Sequence, residues 1–365
     1  MMNLEQIITN ANALDFWQML ESTKRHILVY GMGNGADKLL AHCDARGISV
    51  SDIFASDGFV RGHSFHGYRV LSTSEIKAKY APDKALVLLA FGTARPDVLA
   101  LIEQVAAIYP LFVPDLPVCG EGLFDADFVI DHANELRAAR TLMADEPSRD
   151  LFDAIVLAKL SARLEHLLSA VSEKDTLTVL KNANCQITRM ADLGAYNGDS
   201  AREAIANFPI GFLLAAEPDA RNFRKLTAWA QTMPQGLVEC HEVAISDSIG
   251  TAFFDASGNR NAGLATGRAT TPVATASLDA LLNGRAVDYI KYDIEGNEYK
   301  GLLGSAGTIA AHAPAIRLSL YHRPEDLFVL PLLLQKIAPC HDFFLTRAKS
   351  LPTWDIDLVA IPRNC

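Results

Sequence analysis

Apolar positions along the chain fall into two rhythms. Leu4, Ile7, Ile8, Ala11, Leu14, Trp17 and Leu20 recur at helical spacing and predict one amphipathic helix over residues 4–20. Short unbroken apolar runs bounded by glycine or proline predict buried parallel strands instead. In the first third these are His26–Tyr30, a strand around Val50–Ala55, Ala85–Ala90 and Leu111–Val113. Later ones are the run ending at Leu193, then Gly211–Ala216, Gly236–Ile245, Val287–Tyr292 and Ala315–Leu320. Helical stretches separate them, for example Ala201, Ala204, Ile205 and Phe208, and Pro96 opens another. Strand alternating with helix is the pattern of an α/β protein. Phe343–Thr346 and Ile356–Ile361, joined by a polar connection around Pro352, predict a terminal hairpin.

Between the two sets of strands, Phe124–Leu142 and Ser148–Val171 are predicted helical, parted by the start signal Asp145-Glu146-Pro147. Leu151, Ile155, Leu160, Leu164, Leu167 and Leu168 share a broad face that either packs two domains together or forms a subunit interface in a homo-oligomer. The resulting division is a Rossmann-like domain over 1–125, a helical linker over 126–174 and a second domain over 175–365. The stretch Gly250–Thr271, rich in Gly, Ala, Thr and Asn, predicts a hairpin and a mobile loop.

Composition narrows the function classes. A chain of 365 residues, 50% hydrophobic and 21% charged, is long and apolar enough for two cores. A formal charge of −10 argues against a nucleic-acid backbone as partner. No apolar run reaches membrane-span length, and the polar start does not resemble a signal peptide. The cysteines at 43, 119, 185, 240, 340 and 365 form no Cys-x-x-Cys pair, which suits reduced thiols in a cytoplasmic protein. Cys365 lacks the three following residues that prenylation requires.

In the first third, His26–Tyr30 runs into Gly31-Met32-Gly33-Asn34-Gly35-Ala36 and a helix through Leu39 and Leu40. This is a G-x-G-x-x-A turn in strand–turn–helix context, suited to a nucleotide or sugar-nucleotide pyrophosphate. Asp57 follows the second strand at the distance where such folds set an acid on a ribose. Ser72-x-x-Glu75 is a capping box. With the phrase Gly67-Tyr68-Arg69-Val70-Leu71, this half resembles the N-terminal Rossmann-like domains of sugar-modifying proteins. A scaffold or dimerisation domain with an idle turn is the competing reading. His63 and His66, flanking Phe65, read as surface residues.

The densest chemistry lies in the second half. Arg189–Ser200 reads as a strand end, a turn allowed by Gly194 and Gly198, and a helix start where Asp199 and Ser200 are capping types. Glu217, at the next strand end, is placed to accept hydrogen bonds from both hydroxyls of a ribose. Asp293, Glu295 and Glu298 concentrate negative charge at the end of Val287–Tyr292. Tyr321-His322-Arg323-Pro324-Glu325-Asp326 closes the strand after that.

The order Asp192-Leu-Gly-Ala-Tyr-Asn-Gly-Asp-Ser, Glu217-Pro-Asp-x-x-Asn-Phe, Ala244-Ile-Ser-Asp, Ser277-Leu-Asp and Tyr289-Ile-Lys-Tyr-Asp-Ile-Glu-Gly-Asn-Glu resembles the FkbM family of methyltransferases over about residues 175–362. The resemblance implies a class I methyltransferase fold, a seven-stranded sheet with an antiparallel last strand, using S-adenosylmethionine. It implies that Asp192, Gly194, Ala195, Asn197, Gly198, Asp199 and Ser200 line the methionine end of that cofactor. Glu217 would hold its ribose, with Pro218 and Asn222 shaping the wall, and Ala244, Ile245 and Ser246 would face the adenine. Asp293 would sit near the methyl or amino group. Physics agrees: a sulfonium and an ammonium favour nearby carboxylates, whereas Asp192, Asp199 and Asp293 would repel a pyrophosphate.

Methyl transfer to an alcohol needs an in-line geometry and a proton acceptor. His322 and Asp293 are the candidates, an exposed histidine suiting the task; Glu295 joins them as a catalytic candidate, or with Glu298 binds sugar hydroxyls. Glu298 alternatively caps the helix after it. Asp293, Glu295 and His322 are also hard metal ligands, but no complete set is legible and no metal is expected. The resemblance, together with the N-terminal glycine turn, therefore implies O-methylation of a carbohydrate or related hydroxylated metabolite, a small-molecule or glycan acceptor. The alternative is an NAD(P)- or nucleotide-sugar-binding protein acting through Gly31, Gly33, Gly35 and Asp57, with a non-catalytic second half.

Overall fold

The computed structural model describes residues 2–60, 62, 64–254 and 271–363. The readings made for His63, Cys365 and the loop 255–270 lie outside the described residues. Five apolar runs form the first sheet: β1 (His26–Tyr30), β2 (Asp52–Ala55), β3 (Leu71–Ser72), β4 (Ala85–Leu89) and β5 (Leu111–Phe112). Their order is β3-β2-β1-β4-β5, and every pairing is parallel. β4 is buried at each position, as expected of a strand covered on both faces. Helix α1 (Asn34–Ala45) follows the glycine turn at the end of β1.

The second sheet holds β6 (Arg189–Leu193), β7 (Phe212–Ala216), β8 (Val238–His241), β9 (Tyr289–Tyr292), β10 (Ala315–Ser319), β11 (His341–Arg347) and β12 (Ile356–Pro362). Its order is β8-β7-β6-β9-β10-β12-β11. β12 runs antiparallel to both neighbours, giving the expected seven-stranded sheet with an antiparallel last strand. Parallel strands with short glycine turns bring the carboxyl ends of β6, β7 and β9 side by side, where ligands of open α/β sheets bind.

Predicted long elements break where side chains cap the backbone. Residues 4–22 form three short helices, because Asp15 accepts from the Gln18 amide and starts a new one. The stretch 124–142 divides at His132, and 148–171 divides at Ala162, which adopts the left-handed conformation (φ 50°). The strand expected over 236–245 divides too. Its second piece, Ala244–Ile245, leaves the large sheet and pairs with Thr271–Ala276, itself antiparallel to Gly250–Phe254 as the hairpin reading expects.

Helix α2 (Glu146–Ser161) is the keystone between the halves. Asp145 caps it through the Ser148 amide, and Leu151 to Ser161 are all buried. It packs on the helix Leu4–Thr9 on one side and on β11 on the other, where Ser148 Oγ accepts from the Leu345 amide at 3.0 Å. Lys159 meets Asp115 at 2.7 Å, both buried. Of the two readings of this apolar face, packing within the chain is the one observed. No helix among the described residues is long and apolar enough to cross a membrane.

Candidate active site

A cavity of about 380 Å³ opens where β6, β7 and β9 end. Gly194 makes the first turn with φ +78°, and a Cβ there would lie 1.8 Å from the Asp293 carbonyl oxygen, so the two strand ends meet only because this residue has none. The turn delivers Tyr196 and Asp199 to the cavity. Helix α3 (Asp199–Asn207) begins after Gly198, and Asp199 Oδ1 accepts from the Ser200 amide at 2.9 Å in its first turn. Ser200 Oγ donates to Asp192 Oδ2 at 2.9 Å, the buried carboxylate being a strong acceptor.

Glu217 ends β7 and is 6% exposed. It accepts from the amides of Tyr196 at 2.8 Å and Asp219 at 2.9 Å. Burial pushes its carboxyl up to about 7 despite those two donors. Asp219 then caps helix α4 (Ala220–Ala230), which brings Asn222 to the same wall as Pro218. Ala244 and Ile245 close the far end.

The sequence reading missed the cation of the site. Lys291 stands in the middle of β9, buried, 3.3 Å from Asp192 and 3.7 Å from Asp293, and donates to the Gly194 carbonyl at 3.2 Å. A lysine inside the apolar run Tyr289–Tyr292 was the available signal. Burial works against ionisation of Asp192, whose carboxyl lies above the usual range even beside Lys291. For Asp293, burial is outweighed by Lys291 and His322, which hold the carboxyl well below its ordinary value. Tyr321 also donates to Asp293 Oδ1, at 3.2 Å.

His322 is not the exposed histidine expected. It is 0% exposed, because the turn after β10 tucks between helices α5 (Glu298–Leu303) and α6 (Asp326–Ile337) and its carbonyl accepts from the Cys119 amide. Its Nε2 lies 3.4 Å from Asp293 and 3.7 Å from Glu295, and its Nδ1 lies 3.0 Å from Glu298. Burial opposes the charge, yet Glu298, Asp293 and Glu295 together hold its pKa well above normal. The ring faces Asp293 and Glu295 and does not itself line the cavity. Glu295 does line the cavity, and burial pushes its carboxyl up to about 8.

The remaining wall comes from elsewhere in the chain. Gly92, Thr93, Ala94 and Val118 of the first half face Ser350, Leu351, Trp354 and Asp355, which lie between β11 and β12. Thr93 and Leu351 exchange two backbone hydrogen bonds, at 2.8 and 2.9 Å. Arg347, buried, fixes the other side of this segment through the carbonyls of Ser350 at 2.7 Å and Pro352 at 3.2 Å.

Of the residues expected to hold a cofactor, Gly194, Asp199, Glu217, Pro218, Asn222, Ala244, Ile245 and Asp293 line this cavity. Asp192, which accepts from Ser200, and Ala195, Asn197, Gly198, Ser200 and Ser246 are not among its lining residues. Gly33 and Gly35 line a second cavity of about 510 Å³ with Lys38, which shares Gly92, Val118 and Trp354 with the first. Asp57 does not join them: it is occupied by the amide and hydroxyl of Ser74, at 3.0 and 2.7 Å, at the start of the next helix.

Residues 192–340 match the family model of the methyltransferase FkbM domain. Among solved structures, the chain is similar to a methyltransferase FkbM from Methylobacillus flagellatus KT, with a TM-score of 0.69 and 17% identity over 93% of this chain and 90% of that one. That likeness is one of fold. A precorrin-6y C5,15-methyltransferase from Geobacter metallireducens GS-15 shares 12% identity over 51% of this chain and 83% of that one, at a TM-score of 0.32. Fibrillarin from Aeropyrum pernix, solved with natively bound S-adenosyl-L-methionine, shares 10% identity over 51% and 73%, also at a TM-score of 0.32. No curated protein matches the chain in sequence.

Proposed function

With a methyltransferase FkbM domain in the chain as premise, we propose that this protein transfers the methyl group of S-adenosylmethionine to a hydroxyl of a carbohydrate or related polyhydroxylated metabolite. The observation that carries the reading is a cavity lined by the acidic side chains of Asp199, Glu217, Asp293, Glu295 and Asp355, while the lysine of its wall, Lys291, is already engaged by Asp192 and Asp293. A ligand with a sulfonium and an ammonium suits that charge; a pyrophosphate does not.

In this reading Glu217 takes the ribose hydroxyls, Pro218, Ala244 and Ile245 sandwich the adenine, and Asp199 and the Gly194 turn meet the methionine end. Asp192 and Lys291 brace the turn from below. The acceptor lies against Thr93, Tyr321, Trp354 and Asp355, whose aromatic faces and polar groups suit a hydroxylated ring. Asp293, held ionised, orients the acceptor hydroxyl. Glu295 receives its proton, since its raised carboxyl is closer to the working pH than that of Asp293. His322 supports both from behind and is a positioning residue. Holding oxygen, methyl and sulfur in a row does the rest.

Calorimetry with S-adenosylmethionine and with NAD tests the reading, on the wild type, Glu217→Ala and Gly33→Asp. Binding of S-adenosylmethionine that is lost in Glu217→Ala and kept in Gly33→Asp supports it. NAD binding lost in Gly33→Asp, with no S-adenosylmethionine bound, moves the function to the cavity of Gly33, Gly35 and Lys38, the feature that favours the second reading.

A further inference from the structure

Beneath Asp293 and Glu295 lies a group of side chains that the cavity does not use. Glu298 opens α5, His322 follows β10, and Asp326 opens α6; they are 1%, 0% and 4% exposed. One ligand-type atom from each lies within 4.8 Å of the others. Both carboxylates are anchored by a single backbone amide, Glu298 Oε1 by Ile294 and Asp326 Oδ2 by Arg323, each at 2.8 Å. Glu298 Oε2 and both ring nitrogens of His322 are sealed from solvent without a hydrogen-bond partner. Nδ1 stands 3.0 Å from Glu298 Oε1 yet off the line a hydrogen bond requires. A ring nitrogen and a carboxylate oxygen this close, without hydrogen-bond geometry, need either a proton on the ring or a cation shared between them, and the nearby Asp326 carboxylate supplies a third ligand for the latter.

We propose that Glu298, Asp326 and His322 Nδ1 bind a divalent metal cation. Two carboxylates and an imidazole, without a thiolate, suit manganese or zinc better than calcium, which asks for six or more oxygens. The other ring nitrogen completes the pattern. Nε2 faces Asp293 and Glu295, and a metal-bound imidazole characteristically turns its remaining N–H to a carboxylate. The metal would thus act through His322 on the two carboxylates assigned to the acceptor, without touching cofactor or acceptor. The inference does not depend on the methyl-transfer reading, since no cofactor is needed to test it.

The experiment uses the full chain, stripped with a chelator and titrated with manganese chloride by calorimetry and electron paramagnetic resonance. One manganese ion per chain is expected, with affinity lowered ten-fold or more in Glu298→Gln and in Asp326→Asn. Thermal melting checks that each variant is folded. A measurement on the wild type needs no variant: on adding zinc, histidine ring nitrogen-15 spectra should show His322 with Nε2 protonated and Nδ1 shifted by the metal. Failure to bind either ion, binding unchanged in both folded variants, or a His322 ring still protonated at both nitrogens in saturating zinc would each overturn the proposal. The last result would leave an imidazolium as the positive charge of the group.

Discussion

Glu217 holds two backbone amides in place while closed off from water, and its carboxyl is pushed up to about 7 in the free protein. Ribose hydroxyls would donate to the ionised form, so cofactor binding should pull that value down. Between about pH 5 and 7 the complex then carries fewer protons than the free chain. S-adenosylmethionine affinity is therefore expected to weaken as pH falls through 7, with protons released on binding near pH 6. Calorimetry in two buffers of different ionisation heat reads this directly; proton uptake would contradict it. Glu217→Ala forfeits charge-assisted hydrogen bonds of about 1.5–3 kcal/mol each, so the dissociation constant should rise on the order of 100-fold or more. Lys291→Met leaves Asp192 and Asp293 without their buried cation, and should cost about 3–5 kcal/mol in urea unfolding. At this scale the strand-end carboxylates were legible, because an acid directly after an apolar run has to sit at the sheet's carboxyl edge. The role of Lys291 and the burial of His322 were not: the first also needs Asp192 and the Gly194 carbonyl from β6 and its turn, and the second needs Glu298 and the Cys119 amide, each distant in sequence.

Among the elements, the turn between β6 and α3 is the least tolerant. Gly194→Ala sets a methyl group against backbone, the Asp293 carbonyl, at a φ of +78° that side chains rarely adopt. A loss on the order of 3 kcal/mol or more is expected, measured by urea unfolding, together with loss of S-adenosylmethionine binding. An Ala variant as stable as the wild type would mean that the two strand ends are not in contact. Most strands could be read from composition, since a run such as Ala85–Leu89 is buried on both faces and has no polar position to confuse its period. Helices were overextended instead. The apolar stripe of residues 4–20 continues across Asp15, but the carboxylate of Asp15 captures the Gln18 amide and the Ala126 amide, a competition invisible to periodicity.

For the molecule as a whole, α2 decides whether the halves are separable. Its residues from Leu151 to Ser161 are buried against elements from both, and the Ala144 amide and Phe343 carbonyl are joined at 2.8 Å. A fragment of residues 175–365, cut at the boundary read from the sequence, would expose the apolar face of β11 that this helix covers. It is expected to be insoluble or to lack a near-ultraviolet circular dichroism signal, and the full chain to show one. A soluble fragment with native-like spectra would show that the second sheet stands alone. Domain contacts of this kind are absent from a linear pattern, which marks apolar faces without saying what they meet.

The paired hydrogen bonds between Thr93 and Leu351 amount to one rung of an antiparallel ladder that joins two segments of the cavity wall. The spacing of those two segments is then set by main-chain atoms, which every amino acid possesses, while the side chains of Thr93, Ala94, Trp354 and Asp355 supply the surface chemistry of the wall. Substitutions at those positions are expected to change the chemistry of the wall while the backbone joint keeps its spacing. A joint fixed by the backbone with a replaceable lining lets the side chains of this wall vary at little cost to folding.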